Sequence, residues 1–195
     1  MTGGAGTGKT VVCDCFRRLG AHIISLDELA REAVKRDSSV LGAIADHFGK
    51  GILRANGTLD RRKLRGIITR DGRAREVLES LTHPEIFRLF EEKIAAIESR
   101  HEDAVVVAEV PLLIELGIQD QFDVVVLVEA SPDLQKSRLM ARDGSSAEEA
   151  QAMLGIQMAG EKKRPYADYI VKNLGPLKEM EVAIRKIYSK MTKGA

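Results

Sequence analysis

The sequence predicts an α/β protein in which helices cover both faces of a parallel β-sheet. Three observations favour this class. Short runs of β-branched residues alternate along the chain with longer amphipathic stretches. Two of these runs, residues 104–110 and 124–129, are rich in valine, as strands buried on both faces are. The chain also opens on a glycine-rich segment that leads directly into an amphipathic stretch, a pattern typical of phosphate-binding α/β domains.

Composition and charge argue against several classes of protein. The chain has 195 residues, 44% hydrophobic and 30% charged, which is typical of a globular fold that needs neither disulfides nor metal. Thirty Lys and Arg against 29 Asp and Glu give a net charge of +1, so no general positive field favours nucleic acid. Apolar runs reach about five residues, whereas a membrane helix needs roughly 20. Because no secretory signal pattern is visible, we expect one cytoplasmic domain over residues 1–195.

The only two cysteines, Cys13 and Cys15, lie two positions apart in a predicted helix. Side chains at that spacing point to different faces and are not easily bridged by a disulfide. Neither a further cysteine nor a nearby histidine supports a zinc site. We interpret both residues as reduced core residues.

Each predicted element follows from a local pattern. We predict strands at residues 21–25, 104–110, 124–129 and 169–172. Helices are predicted at residues 9–19 up to Gly20, at 40–48 behind Ser38 and Ser39, at 85–100 behind Pro84, and at 133–141 behind Ser131 and Pro132. Nearly 80 residues of helical pattern separate the first two strands, more than one crossover helix needs. The sequence therefore predicts an inserted helical lobe at about 35–100 and a helical lid at about 142–166.

The glycine-rich opening matches the phosphate-loop pattern G-x-x-x-x-G-K-[ST] in full, with residues Gly3, Gly4, Ala5, Gly6, Thr7, Gly8, Lys9 and Thr10. Glycines allow consecutive backbone N–H groups to converge on phosphate oxygens, and the following helix adds its positive end. Lys9 is expected to reach the β- and γ-phosphates, and the Thr10 hydroxyl to bind Mg²⁺. The pattern predicts a nucleotide triphosphate site.

One feature disagrees with this pattern. A phosphate loop normally follows a central strand, yet only Met1 and Thr2 precede Gly3. We therefore expect that the given start omits several residues of an apolar strand; the alternative is that the chain lacks the strand that anchors its loop. As the sequence stands, the sheet should have a gap and the loop should be loosely held.

Three classes of phosphate-loop protein are compatible with the motif: a small-molecule kinase, a GTPase and an ATPase coupled to a partner. The N-K-x-D pattern that reads guanine is absent, and the D-x-x-G match at residues 46–49 ends a helix instead of following a strand. Because Glu109 lies at the end of an apolar strand, the interpretation as a partner-coupled ATPase remains possible. The inserted lobe and the Arg-containing lid favour a kinase, because phosphoryl transfer must exclude water and neutralise charge.

The chain resembles the dephospho-CoA kinase family from Thr2 to about Gly175. The order and spacing of the matching stretches carry this resemblance: residues 2–10, 26–31, 56–61 with Leu64, 81–84, 110–115, Arg138 with Arg142 and Asp143, and 167–173. The resemblance implies a P-loop kinase fold, a three-layer αβα sandwich with a CoA-binding lobe and a lid. It also implies ATP and Mg²⁺ as cofactors and phosphorylation of the ribose 3′-hydroxyl of dephospho-CoA, the last step of coenzyme A synthesis. We expect a monomer or weak homo-oligomer.

The resemblance assigns roles in the region after the first predicted strand. Asp27 is expected to accept the proton of the substrate hydroxyl; its alternative is to cap the following helix. The family usually has a second Asp where this chain has Ser25, so Asp27 is the one acid here. Arg31, one turn further on, is expected to bind substrate phosphate, or else pairs with a surface acid.

Further candidates lie in the lobe, the lid and the last strand. Arg61 and His83 are expected to contact the substrate; a solvated basic face and a structural histidine are the alternatives. Arg138 is expected to bind ATP and Arg142 to act on the γ-phosphate, since a guanidinium is bidentate and stays charged. Both are otherwise exposed helical arginines. Lys163 is a candidate phosphate contact, and Asn173 is placed where this fold commonly binds adenine.

Overall fold

Five short strands form one three-stranded and one two-stranded sheet. In the computed structural model, which describes residues 1–175 and 177–192 apart from the side chain of Ile156, they are β1 (Thr2–Gly3), β2 (His22–Ser25), β3 (Val106–Glu109), β4 (Val126–Glu129) and β5 (Tyr169–Lys172). Strands β1, β4 and β5 pair in parallel, with Thr2 opposite Leu127 and Leu127 opposite Ile170. Strand β2 pairs with β3. The predicted strand at residues 169–172 is confirmed, and the other three are shorter than predicted.

Residue Met1 joins the two sets of strands. Its nitrogen donates to the carbonyl of Ala108 at 2.7 Å, and the N–H of Val110 donates to the carbonyl of Met1 at 2.9 Å. These bonds give the order β2-β3-β1-β4-β5. The strand before the glycine-rich loop, which the sequence analysis expected to be missing, is therefore present in short form at Thr2–Gly3. Thr2 and Gly3 form a strand because they pair with β4, while Met1 bonds to Ala108 and Val110 on the other side, and no local pattern reveals these contacts.

Helices cover both faces of the sheet, as in an αβα sandwich. Helices α1 (Lys9–Arg18) and α9 (Leu177–Met191) pack together on one face. There Val126 and Val128 share a core with Phe16 and Ile184. Leu127 points to the opposite face, because side chains alternate along a strand, and it is fully buried. Both cysteines are free and buried in the first face, as the sequence predicted.

Residues 25–100 form a separate, helical unit, whereas residues 1–24 and 101 onward form the sheet unit. The helical unit contains α2 (Leu26–Ala33), α3 (Ser39–Phe48), α4 (Arg61–Ile68) and α5 (Gly72–Glu98). Ser38 caps α3 by accepting from the N–H of Leu41, as predicted. The unit begins before the predicted boundary at about residue 35, because α2 packs on α5.

The start of the longest helix differs from the prediction. Pro84 lies in the interior of α5, which begins at Gly72 behind the N-cap Asp71. The carboxylate of Asp71 accepts from the N–H groups of Arg73 and Ala74, the usual capping arrangement. An interior proline costs one backbone hydrogen bond, about 3 kcal/mol, and a helix of 27 residues with tertiary packing tolerates this. The prediction that Pro84 starts the helix was therefore wrong.

The segment between β4 and β5 is also helical. It contains α6 (Pro132–Asp143), α7 (Ala147–Ile156) and α8 (Gly160–Lys163), followed by a 3₁₀ turn at Arg164–Tyr166. Ser131 caps α6, as the sequence predicted, and Ser146 forms a capping box with Glu149 at the start of α7. In the parts of the chain that the structure describes, no helix has both the length and the apolar character that a membrane crossing requires.

Candidate active site

The glycine-rich loop runs from the end of β1 to the start of α1 and leaves no room for side chains at two positions. Gly6 and Gly8 have φ angles of 72° and 89°, the left-handed region that glycine adopts without strain. A Cβ on Gly6 would lie 2.6 Å from the carbonyl oxygen of Gln135, and one on Gly8 would collide with the amide of Asn173. The glycines of the motif are therefore required by space as well as by conformation.

The loop presents a set of hydrogen-bond donors. Lys9 Nζ donates to the carbonyls of Gly3 and Gly4, at 3.0 and 3.1 Å, which folds the lysine over the loop. The N–H groups of Gly6 and Gly8 make no hydrogen bond to any described residue. Backbone donors at the N-terminal end of a helix, here that of α1, are a set that an anion would satisfy. The structure thus brings together loop residues 4–10, although their individual contacts with ATP stay predictions.

The two threonines of the loop have different surroundings. Thr7 is buried, and its hydroxyl donates to the carbonyl of Gly4 at 2.9 Å, so it holds the shape of the loop. Thr10 is exposed in the first turn of α1, and within the described chain its hydroxyl has no hydrogen-bond partner. A hydroxyl in this position fits the ligand that a phosphate-bound Mg²⁺ requires.

Arg138 and Asn173 bind the backbone of the loop. The Arg138 guanidinium donates to the carbonyls of Gly6 and Thr7, at 3.2 and 3.3 Å, and to Asn173 Oδ1 at 3.3 Å. Asn173 Nδ2 donates to the carbonyl of Thr7 at 2.8 Å. Both predicted ATP ligands therefore reach the loop, where they contact its carbonyl oxygens; contact with the nucleotide stays a prediction.

Arg142 lies one helical turn beyond Arg138, in the last turn of α6. It forms a bidentate pair with the carboxylate of Asp143, at 2.7 and 2.8 Å, and its side chain is 63% exposed. The hydrogen bond and the charge of Asp143 raise the pKa of Arg142, so the guanidinium stays charged. Its predicted action on the γ-phosphate stays a prediction.

Four further predicted site residues, Asp27, Arg31, Arg61 and His83, belong to the helical unit. Asp27 occupies the second position of α2, exposed and without a hydrogen bond or ion pair to described residues. The N-cap of α2 is Ser25, so the alternative that Asp27 caps this helix was wrong. An unpaired, exposed carboxylate is available to a ligand.

Two arginines of the helical unit lie close enough to affect each other. Arg31 is exposed in α2, and Arg61 is the first residue of α4. Burial, with a smaller effect from the charge of Arg31, lowers the pKa of Arg61. An anion bound between two neighbouring guanidinium groups would offset their mutual repulsion. His83 is half-buried in α5, its ring edge-on to Phe87 at 6.0 Å between centroids.

Two residues of the lid segment differ from the sequence analysis. Lys163, a candidate phosphate contact, is fully buried and pairs with Glu115 at 2.8 Å. Gln157, which the sequence analysis missed, accepts a hydrogen bond at 2.7 Å from the N–H of Ala5 in the phosphate loop. Because the two residues are 152 positions apart and no pattern surrounds Gln157, local sequence gives no signal for this contact.

Comparison with known proteins agrees with this geometry. The profile of the dephospho-CoA kinase family matches residues 1–179. A dephospho-CoA kinase of Geobacter sulfurreducens is 40% identical over 190 residues, covering 97% of this chain and 96% of the relative. One from Syntrophus aciditrophicus is 37% identical over 193 residues, covering 99% of this chain and 82% of the relative.

Solved structures give the same result for the fold. A Thermus thermophilus protein superposes with a TM-score of 0.82 at 33% identity, over 97% of this chain and 94% of its own. Dephospho-CoA kinase from Campylobacter jejuni superposes with a TM-score of 0.71 at 28% identity, over 99% of this chain and 96% of its own. Shikimate kinase from Bacteroides thetaiotaomicron shares the fold alone, at 18% identity and a TM-score of 0.50, over 97% of this chain and 95% of its own.

Proposed function

The chain belongs to the dephospho-CoA kinase family, and on that basis we propose that it transfers the γ-phosphoryl group of ATP to the ribose 3′-hydroxyl of dephospho-CoA. The products are CoA and ADP. The phosphate loop is the observation that carries the proposal, because Gly6 and Gly8 have positive φ angles and N–H groups without a described partner, next to Lys9. Phosphoryl transfer depends mainly on positioning and on charge stabilisation, which such a loop supplies.

In this mechanism the loop holds the triphosphate. Backbone N–H groups of residues 4–10 donate to the phosphate oxygens, and Lys9 exchanges its bonds to Gly3 and Gly4 for the β- and γ-phosphates. The exposed hydroxyl of Thr10 would hold Mg²⁺, which when bound would offset the negative charge of the phosphates. Arg142 adds positive charge at the γ-phosphate, where negative charge is redistributed in the transition state.

Asp27 is the proposed base. It follows the end of β2 by two residues and carries an exposed carboxylate with no partner among described residues. The carboxylate accepts the proton of the ribose 3′-hydroxyl as that oxygen forms its bond to the γ-phosphorus. The bond between this phosphorus and the bridging oxygen of ADP then breaks, and ADP leaves with the electron pair.

The helical unit is proposed to bind dephospho-CoA. Arg31 and Arg61 lie close enough for their charges to interact, and a phosphate of the substrate would stabilise both. His83 lies in the same unit as a further candidate contact. A lid at about 142–166, a cytoplasmic location and a monomeric or weakly self-associating state stay predictions.

The test is ADP release from Mg·ATP with and without dephospho-CoA. We expect release to depend on dephospho-CoA and to yield one CoA for each ADP. ADP release at the same rate without dephospho-CoA, together with stimulation of that release by another macromolecule, would instead indicate a partner-coupled ATPase. Turnover only with a different nucleotide-like acceptor would indicate another small-molecule kinase. The Lys9→Ala variant is the matched negative control, because it removes the loop's cation.

A further inference from the structure

One donor of the phosphate loop is already occupied by the protein itself. The N–H of Ala5, in the middle of the loop, donates to Oε1 of Gln157 at 2.7 Å. This amide oxygen takes the position that an acceptor oxygen of a bound phosphate would need along the same N–H direction. The N–H groups of Gly6 and Gly8, by contrast, have no partner in the described chain.

A buried ion pair holds Gln157 in this place. Gln157 has extended backbone angles at the end of α7, φ −94° and ψ 153°. The next N–H, of Met158, donates to Oε1 of Glu115 at 3.1 Å, and Glu115 also binds the ammonium of Lys163. Lys163 further donates to the carbonyl of Pro111 at 3.2 Å. These bonds hold the turn after α7, so the position of Gln157 does not depend only on its own hydrogen bond to Ala5.

We propose that Gln157 is an internal competitor for the phosphate loop, which nucleotide phosphate must displace from the N–H of Ala5. The inference rests on the proposed function, in which this loop binds ATP. A phosphate oxygen wins the exchange because a charged acceptor binds an N–H about twice as strongly as a neutral amide does. The exchange releases the side chain of Gln157 from the loop, while the bonds of Glu115 to Met158 and Lys163 remain.

The size of the effect follows from one exchanged hydrogen bond. A neutral hydrogen bond contributes about 0.5–1.5 kcal/mol net, which corresponds to a change of about two- to twelvefold in affinity. Gln157→Ala removes the competitor, so we expect it to bind Mg·ADP, Mg·ATP and inorganic tripolyphosphate about three- to tenfold more tightly. Gln157→Glu places a carboxylate against the same N–H and repels phosphate, so we expect affinity to fall about tenfold or more.

The experiment is calorimetric titration of the full chain with each of the three ligands. Gln151→Ala is the matched control, because Gln151 is an exposed glutamine of the same helix α7. Its affinities should stay within about twofold of the parent. A second readout needs no nucleotide: the amide ¹⁵N–¹H resonance of Ala5 should move in Gln157→Ala and stay in place in Gln151→Ala.

The outcomes separate this inference from the proposed function. If the parent binds Mg·ATP but Gln157→Ala has the same or a lower affinity, the competitor is disproved and the kinase proposal stands. A lower affinity would mean that Gln157 is itself a ligand of the phosphates. If the parent binds no Mg·ATP, both proposals fall. An unmoved Ala5 resonance in Gln157→Ala also overturns the inference.

Discussion

Arg138 and Asn173 act together on the phosphate loop: the guanidinium donates to Asn173 Oδ1 at 3.3 Å, and both side chains donate to the carbonyl of Thr7. One arginine thus orients the amide that in turn holds the loop. Arg138 belongs to α6, and Asn173 directly follows β5. Two segments distant in sequence therefore fix the loop. These bonds therefore hold the backbone of the loop in a defined shape without a nucleotide.

The first prediction concerns Lys9. We expect Lys9→Ala to lower turnover at least about a hundredfold, because its charge acts on the transferred phosphoryl group. ATP affinity should also fall, as measured by calorimetry. Lys178→Ala, at an exposed lysine of α9, is the control and should behave as the parent. Parent-like turnover in Lys9→Ala would exclude the loop from catalysis.

Asp27 should be needed for the chemical step but not for nucleotide binding. We expect Asp27→Asn to lower turnover at least about a hundredfold, since an amide cannot accept the hydroxyl proton. Calorimetry should give an unchanged affinity for Mg·ATP. Glu28→Gln removes the neighbouring exposed carboxylate and serves as control. Normal turnover in Asp27→Asn would disprove the assignment of the base.

Arg142 and Arg138 should respond differently to truncation. Arg142→Ala should lower kcat by about tenfold or more, because its charge is proposed to act on the γ-phosphate. The side chain is 63% exposed, so Tm should stay nearly unchanged. Arg138→Ala removes the bonds to the loop carbonyls, so both Tm and ATP affinity should fall. Steady-state kinetics and thermal unfolding measure the contrast. An unchanged kcat in Arg142→Ala would contradict its role at the γ-phosphate.

The buried pair of Lys163 and Glu115 should matter for stability. Lys163→Met leaves Glu115, itself only 17% exposed, without its cation, and we expect a loss of about 3–5 kcal/mol in the free energy of unfolding. Urea titration measures this loss. Lys162→Met, at the exposed neighbour, should change the free energy by less than about 0.5 kcal/mol. Equal effects of the two variants would contradict a buried pair.

Cys13 should be inert in the folded protein. Burial, reinforced by the charge of Glu109, raises the pKa of its thiol from 9.0 to about 12. A thiol reagent in mildly alkaline buffer should react with Cys13 only after unfolding, since the thiolate is the reactive form. The folded state holds this proton more tightly than the unfolded chain does. Its contribution to stability is therefore complete below pH 9.0 and is lost as pH rises toward about 12. Rapid labelling of the native protein would contradict the burial.

Local chemistry explains which features could be predicted from the sequence. The phosphate loop, the caps Ser38 and Ser131 and the last strand depend on neighbouring residues, and each was predicted correctly. Strand β1 was missed because two residues form it only through pairing with distant strands.

Other errors have the same origin. Pro84 is a good first residue of a helix by local rules, yet packing carries α5 through it. Lys163 looks like one of several basic surface residues, and its burial depends on partners far away in sequence, Glu115 and Pro111. The contact of Gln157 with Ala5 likewise depends on the tertiary fold.

The close approach of Asn173 to Gly8 constrains any effort to evolve this protein in the laboratory. A library that randomises residue 8 alone would sample almost only inactive clones, because every other side chain meets the Asn173 amide and a φ of 89°. Shortening residue 173 relieves the collision but leaves the backbone strain. A library that aims at a different phosphate donor should instead vary the residues of α6 that face the loop.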